Sequence, residues 1–203
     1  MQSVTFNKGN IMIAILKYNA GNIQSVRNAL NRLGCANKVT DDPHEILSAG
    51  KVIIPGVGEA SSAMRYLRCA GLDKVIISLK QPVLGICLGL QLLCRHSDEG
   101  DTQCLGIFRS YVRRFPSLDK VPHMGWDNLE STSGRLFRGI EKDEDFYFVH
   151  SYYAEISTET TAVCNYIVPF SAAMQNGNFY ATQFHPEKSA DTGVKILKNF
   201  LDL

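Results

Sequence analysis

Val83-Leu84-Gly85-Ile86-Cys87-Leu88-Gly89-Leu90-Gln91-Leu92-Leu93-Cys94 changes pattern halfway along. Val83–Cys87 is a short apolar run of strand type, whereas Leu88–Cys94 reads as the start of a helix. A strand passing directly into a helix, with glycines at Gly85 and Gly89, describes a tight βα junction where neighbouring backbone passes close by. The cysteine sits at the turn, in a G-x-C-x-G pattern. The helix that begins there aims backbone N–H groups and partial positive charge at the sulfur, which favours thiolate. The motif alone leaves two readings open: a nucleophile on an elbow, or a core cysteine in a glycine-rich turn.

The same alternation extends towards the N-terminus. Met12–Leu16 and Val52–Pro55 are short buried strands. Ile23, Val26, Leu30 and Leu33 fall at helical spacing, and a further helix is expected around Ala60–Cys69. Strands buried on both faces with helices between them predict a parallel α/β sheet. The second half differs: Ile107–Phe115, Phe146–Ile156, Ala162–Val168 and Phe179–Phe184 are rich in β-branched and aromatic residues. Asn176–Gly177 predicts a type I′ hairpin before the last strand, and Gly193–Leu203 an amphipathic closing helix. The expectation is a single three-layer α/β domain over 12–203 with added antiparallel strands. Residues 1–11, polar and aperiodic ahead of a second methionine, read as an N-terminal extension or a cloning remnant.

Composition narrows the class. The 203 residues suffice for one sizeable domain, and the apolar (45%) and charged (20%) fractions are those of an ordinary globular protein. A net charge of +1 offers no field for nucleic acid or an anionic membrane. No apolar run approaches the roughly 18 residues of a membrane helix, and the N-terminus lacks a secretory pattern, so a cytoplasmic location is expected. The six cysteines contain no C-x-x-C pair, which supports neither a metal site nor a redox motif.

A cysteine nucleophile needs a base and an orienting group. Gln183-Phe184-His185-Pro186-Glu187 closes the last predicted strand. His185 and Glu187 are two apart, so on an extended segment they share a side, which suits an imidazole held by a carboxylate. Acyl chemistry also needs oxyanion donors. Pro55-Gly56-Val57-Gly58 leaves another strand at the same expected sheet edge, and its backbone N–H groups, with that of Leu88, are candidates.

In this order, P-G-V-G, G-I-C-L-G-L-Q and F-H-P-E-K resemble the triad-type (class I) glutamine amidotransferases over nearly the whole chain from Met12. Tyr18–Val26, Lys120–Trp126 and Tyr147–Tyr152 further resemble the glutaminase subunits of imidazole glycerol phosphate synthases. The resemblance implies a flavodoxin-like core and glutamine hydrolysis through a γ-glutamyl thioester. It implies Cys87 as nucleophile, His185 as base and acid, and Glu187 as orienting carboxylate. Gly56, Val57 and Gly58 are the implied oxyanion strand. Gln91 and Glu99 are implied substrate contacts, and His150-Ser151-Tyr152 the strand at the substrate's α-carboxylate end. From the residues alone, Gln91 reads as an exposed helix position and Glu99 as part of a solvated turn. His123, Met124 and Trp126 are implied to face a (β/α)8-barrel cyclase subunit in a heterodimer that receives the ammonia. No metal or organic cofactor is implied. Lys17 and Asn19-Ala20 depart from the usual pattern, at a place expected to lie away from the triad.

Overall fold

The computed structural model describes residues 11–19 and 21–203. The expected N-terminal extension, apart from Ile11, and the departure at Ala20 lie outside the described residues.

In chain order the first half runs β1 (Ile13–Leu16), α1 (Ile23–Arg32), β2 (Asn37–Thr40), α2 (Pro43–Ser48), β3 (Lys51–Ile54), α3 (Ala60–Cys69), α4 (Leu72–Ser78), β4 (Val83–Ile86) and α5 (Leu88–Leu93). The second half runs β5 (His96–Ser97), β6 (Thr102–Gln103), β7 (Tyr111–Arg114), β8 (His123–Asp127), β9 (Ser131–Thr132), β10 (Phe146–His150), β11 (Tyr152–Ala154), β12 (Thr160–Tyr166), β13 (Val168–Asn176), β14 (Phe179–Thr182) and α6 (Ala190–Leu201).

One mixed sheet, ordered β2-β1-β3-β4-β14-β13-β12-β9, forms the spine. Its first five strands pair in parallel and the remainder antiparallel. Residues in these strands alternate between the two faces, as a two-residue period requires. Ala14, Leu16, Val52 and Ile54 join the core beneath α3 and α5, whereas Ile13, Ile15 and Ile53 join that beneath α1 and α6. Helices on both faces make the three layers. A two-stranded sheet (β10-β8) and a four-stranded one (β11-β7-β5-β6) complete the fold.

Several expected elements shift. Phe146–Ile156 divides at Ser151, sending β10 and β11 into different sheets. The nine-residue β13 escapes a sequence reading because the chain turns into it at Ile167, a β-branched residue at φ +59° with no glycine to mark the turn. The final hairpin is displaced by one residue: Asn176 pairs with Phe179, the loop is Gly177–Asn178, and only Gly177 has positive φ, at +56°. This is not a type I′ turn, which needs positive φ at both loop positions. The Asn178 side chain instead donates to the Leu79 and Gln81 carbonyls at 3.0 and 2.8 Å, tying the hairpin to the entry of β4. Among the described residues, no helix is long and apolar enough to cross a membrane.

Candidate active site

Strand β4 ends and α5 begins with Cys87 alone between them, at φ +53°, ψ −107°. A non-glycine residue there is strained. The surroundings over-determine it: the Cys87 N–H donates to the Thr182 carbonyl at 2.7 Å, fixing the elbow to β14. The glycines have the expected purpose. A Cβ on Gly89 would stand 2.0 Å from the Ile54 carbonyl oxygen, and one on Gly85 2.8 Å from the Gly89 backbone. Only glycine lets α5 lie this close to the sheet.

His185 and Glu187 reach the same place. His185 Nδ1 lies 2.8 Å from Glu187 Oε1, and both side chains are fully buried. The segment is not extended, as expected from sequence; a 3-10 turn runs Pro186–Lys188, and the pair meets across its first residue. The His185 N–H donates to the Tyr147 carbonyl at 2.9 Å, and Ser189 Oγ donates to the His185 carbonyl at 2.7 Å, so the backbone is held on both sides. Nε2 of His185 is buried without a closed hydrogen bond. Burial, the largest single influence, pulls the imidazole down in pKa, but the charge of and hydrogen bond to the Cys87 sulfur and those of Glu187 together outweigh it, and the group is pushed up to about 10. The imidazole is thereby drawn towards its protonated form beside the sulfur.

Beside Cys87 opens a cavity of about 290 Å³ lined by Val57, Gly58, Leu88, Gln91, Glu99, Pro122, Val149, His150, Ser151 and Tyr152. All the implied substrate contacts face this one space. Gln91, which on sequence alone reads as exposed, is 4% exposed and donates to the Tyr152 carbonyl at 2.8 Å. The i to i+4 step from Cys87 turns it inward along α5. Glu99 is not a solvated turn residue either. Its Oε2 accepts from the Ala60 N–H at 2.7 Å, capping α3, and burial raises its pKa.

The implied oxyanion donors are not assembled. The Leu88 N–H already donates to the Gly56 carbonyl, at a long 3.4 Å. The Val57 carbonyl accepts from the Gly21 N–H at 3.1 Å. Gly58, at φ +135°, occupies a conformation open to glycine. Rotation of the Gly56–Val57 peptide would take the Gly56 carbonyl off the Leu88 N–H and turn the Val57 N–H to that side.

Sequence reasoning placed the departures at Lys17 and Asn19-Ala20 away from the triad; Lys17 pairs with Asp41, but the neighbouring Tyr18, Gly21 and Asn22 reach the site. Tyr18 Oη donates to the Pro55 carbonyl, Gly21 holds Val57, and Asn22 Nδ2 donates to Glu187 Oε1. Tyr18 and Gly21 thus hold the Pro55–Gly58 loop, and Asn22 the Glu187 carboxylate. Asn22, at φ +66°, is one of the few residue types that tolerate the left-handed region. Among the three implied interface residues, Met124 and Trp126 are exposed at 64% and 55%, but His123 is buried. Alternation along β8 turns it inward, stacked between Phe148 and Tyr166 at centroid distances of 4.8 and 4.0 Å. Its Nδ1 lies 3.2 Å from His150 Nε2. Among the described residues, no group of three or more His, Cys, Asp or Glu is arranged to hold a metal ion.

Strand-elbow cysteine, buried His–Glu pair and lined cavity together define one class. The chain belongs to the class-I glutamine amidotransferases, whose family profile matches residues 14–203. It is 55% identical over 194 residues to imidazole glycerol phosphate synthase subunit HisH of Bacteroides thetaiotaomicron, covering 94% of this chain and 99% of that protein. The HisH subunit of Escherichia coli is 46% identical with the same coverage. At this identity and coverage the chain is a member of the HisH family. The solved structure of PurLQS from Thermotoga maritima superposes with a TM-score of 0.71 at 17% identity, over 96% of this chain and 99% of that one, which speaks to the fold.

Proposed function

We propose that this chain is the glutaminase subunit of imidazole glycerol phosphate synthase and works through Cys87, His185 and Glu187. The Cys87 thiolate attacks the carboxamide carbon of glutamine in the cavity beside it. The tetrahedral oxyanion collapses as His185 Nε2 gives its proton to the departing nitrogen, leaving ammonia and a γ-glutamyl thioester. Water then attacks the thioester, its proton passing to His185, and glutamate leaves with the thiolate restored. Glu187 keeps Nδ1 protonated, so Nε2 is the working nitrogen. Gln91 and Glu99 hold the glutamine, Glu99 through the substrate ammonium. The Val57 and Leu88 amides receive the oxyanion once the loop has rotated.

The observation that carries this reading is a strained Cys87 on the wall of that cavity with the buried His185–Glu187 pair beside its sulfur. Its partner is a (β/α)8-barrel cyclase subunit, which uses the ammonia to make imidazole glycerol phosphate and AICAR in histidine biosynthesis, in the cytoplasm. Exposed Met124 and Trp126 on β8 are the docking residues. Because Gly56 occupies the Leu88 amide, the free chain should hydrolyse glutamine slowly until the cyclase binds. The test is glutamine hydrolysis by the wild type and Cys87→Ala, with and without the cyclase. Stimulation of the wild type alone supports the reading; stimulation only by a chorismate-using synthase would reassign the partner.

A further inference from the structure

Gln183 has no exposed surface and reaches two groups of the site. Its Nε2 lies 3.5 Å from Cys87 Sγ, and its Oε1 3.2 Å from Gln91 Nε2. The orientation of both amides follows from a fixed end. Gln91 Nε2 also lies 2.8 Å from the Tyr152 carbonyl oxygen, which can only accept. His150 Nδ1, 2.8 Å from that same oxygen, takes up its remaining capacity. The Gln91 amide therefore cannot turn over without opposing two oxygens. Its second N–H is thereby committed to Gln183 Oε1, and a reversed Gln183 would set two donors against each other. The chain has one direction: Tyr152 carbonyl, Gln91, Gln183, sulfur.

We infer that Gln183 is a positioning residue for Cys87, donating from a fixed amide to the sulfur and holding it, as thiolate, towards the cavity. This rests on Cys87 being the nucleophile. The neutral thiol has another outlet, the Val149 carbonyl at 3.9 Å. A thiolate has no proton to give there and gains only from a donor. A buried hydrogen bond to a charged group is among the stronger kinds. The same network spends both Gln91 N–H groups within the protein, so Gln91 offers the cavity its oxygen alone.

The test is alkylation of Cys87 by iodoacetamide in the full-length chain as a function of pH, read by peptide mass in a Cys69→Ser background because Cys69 is exposed. Gln183→Glu keeps an acceptor for Gln91 but replaces the donor to sulfur by a carboxylate oxygen; Gln183→Met removes donor and acceptor without adding charge. Each should slow labelling at neutral pH about tenfold and move the profile to higher pH, with the alkaline plateau kept. In glutamine hydrolysis kcat should fall while KM stays near the wild-type value. Labelling profiles that superimpose on the wild type, or a rise in KM alone, would overturn the inference. Should Gln183→Met fail to fold, a labelling profile for Gln183→Glu that superimposes on the wild type still overturns the inference. Cys87→Ala separates the two levels: if it still hydrolyses glutamine, the nucleophile assignment fails, whatever Gln183 does.

Discussion

Replacing Gly89 by alanine adds one methyl group at the point where α5 touches β3. That carbon would meet the Ile54 carbonyl oxygen at 2.0 Å and its carbon at 3.1 Å, where ordinary contact begins near 3.4 Å. Both contacts are backbone in a central strand, so no side chain can swing away, and α5 must retreat by about 1 Å. Overpacking of this kind costs about 2 kcal/mol, and at this chain length that lowers Tm by about 4–8 °C. The larger effect falls on the site. Cys87 opens α5 and Gln91 lies within it, so the proposed nucleophile and substrate contact move together relative to His185, which follows β14. A displacement of about 1 Å in a reacting group can cost about a hundredfold in rate. Calorimetry and glutamine hydrolysis with the cyclase present read the two effects separately. A Gly89→Ala protein with wild-type Tm and turnover would refute the claim that close packing of α5 on Ile54 sets the elbow.

Trp126→Ala should leave Tm unchanged, because the ring is exposed and only edges onto Tyr147 at 5.9 Å; its loss should weaken cyclase binding by about thirtyfold in a titration, as for a central aromatic anchor. Glu99→Gln should raise KM for glutamine about tenfold with little change in kcat, since it removes a charge-assisted bond to the substrate ammonium. Stability should fall in mild acid. Burial holds His150 down to about 3, against an unfolded value near 6.5, so its contribution is present above pH 6.5 and is lost as pH falls towards 3. The slope is about 1.4 kcal/mol per pH unit from this group, with buried His123 adding in the same direction, and chemical denaturation of the wild type beside His150→Gln measures it.

The parallel half of the fold was legible because its signals are local. Short runs such as Ile13–Leu16 and Val83–Ile86 are buried on both faces and bounded by helical periodicity, so pattern and environment agree. β2 was not legible: Asn37–Thr40 is a half-exposed edge strand of polar residues, placed by pairing with β1 rather than by composition. α2 is only six residues long, and its one local mark is the Asp42 cap ahead of Pro43. At the site, Cys87, His185 and Glu187 were readable from motifs because their chemistry demands particular residue types at short spacing. Asn22 and Gln183 were not. Asn22 reaches Glu187, and Gln183 reaches Cys87, across more than ninety residues of chain, and an amide side chain carries no signal of its own until the fold supplies its partner. The inward turn of His123 was hidden for a related reason, since alternation along β8 says which residues share a side but not which side is covered.

The most direct test of the account is covalent: the full-length chain, bound to the cyclase, is treated with a glutamine analogue that carries an alkylating group in place of the carboxamide, and the adduct is mapped by mass. One adduct on Cys87, suppressed by excess glutamine and absent in Cys87→Ala, is the predicted result. Labelling at Cys69 instead, or labelling of Cys87 that glutamine does not slow, would contradict it.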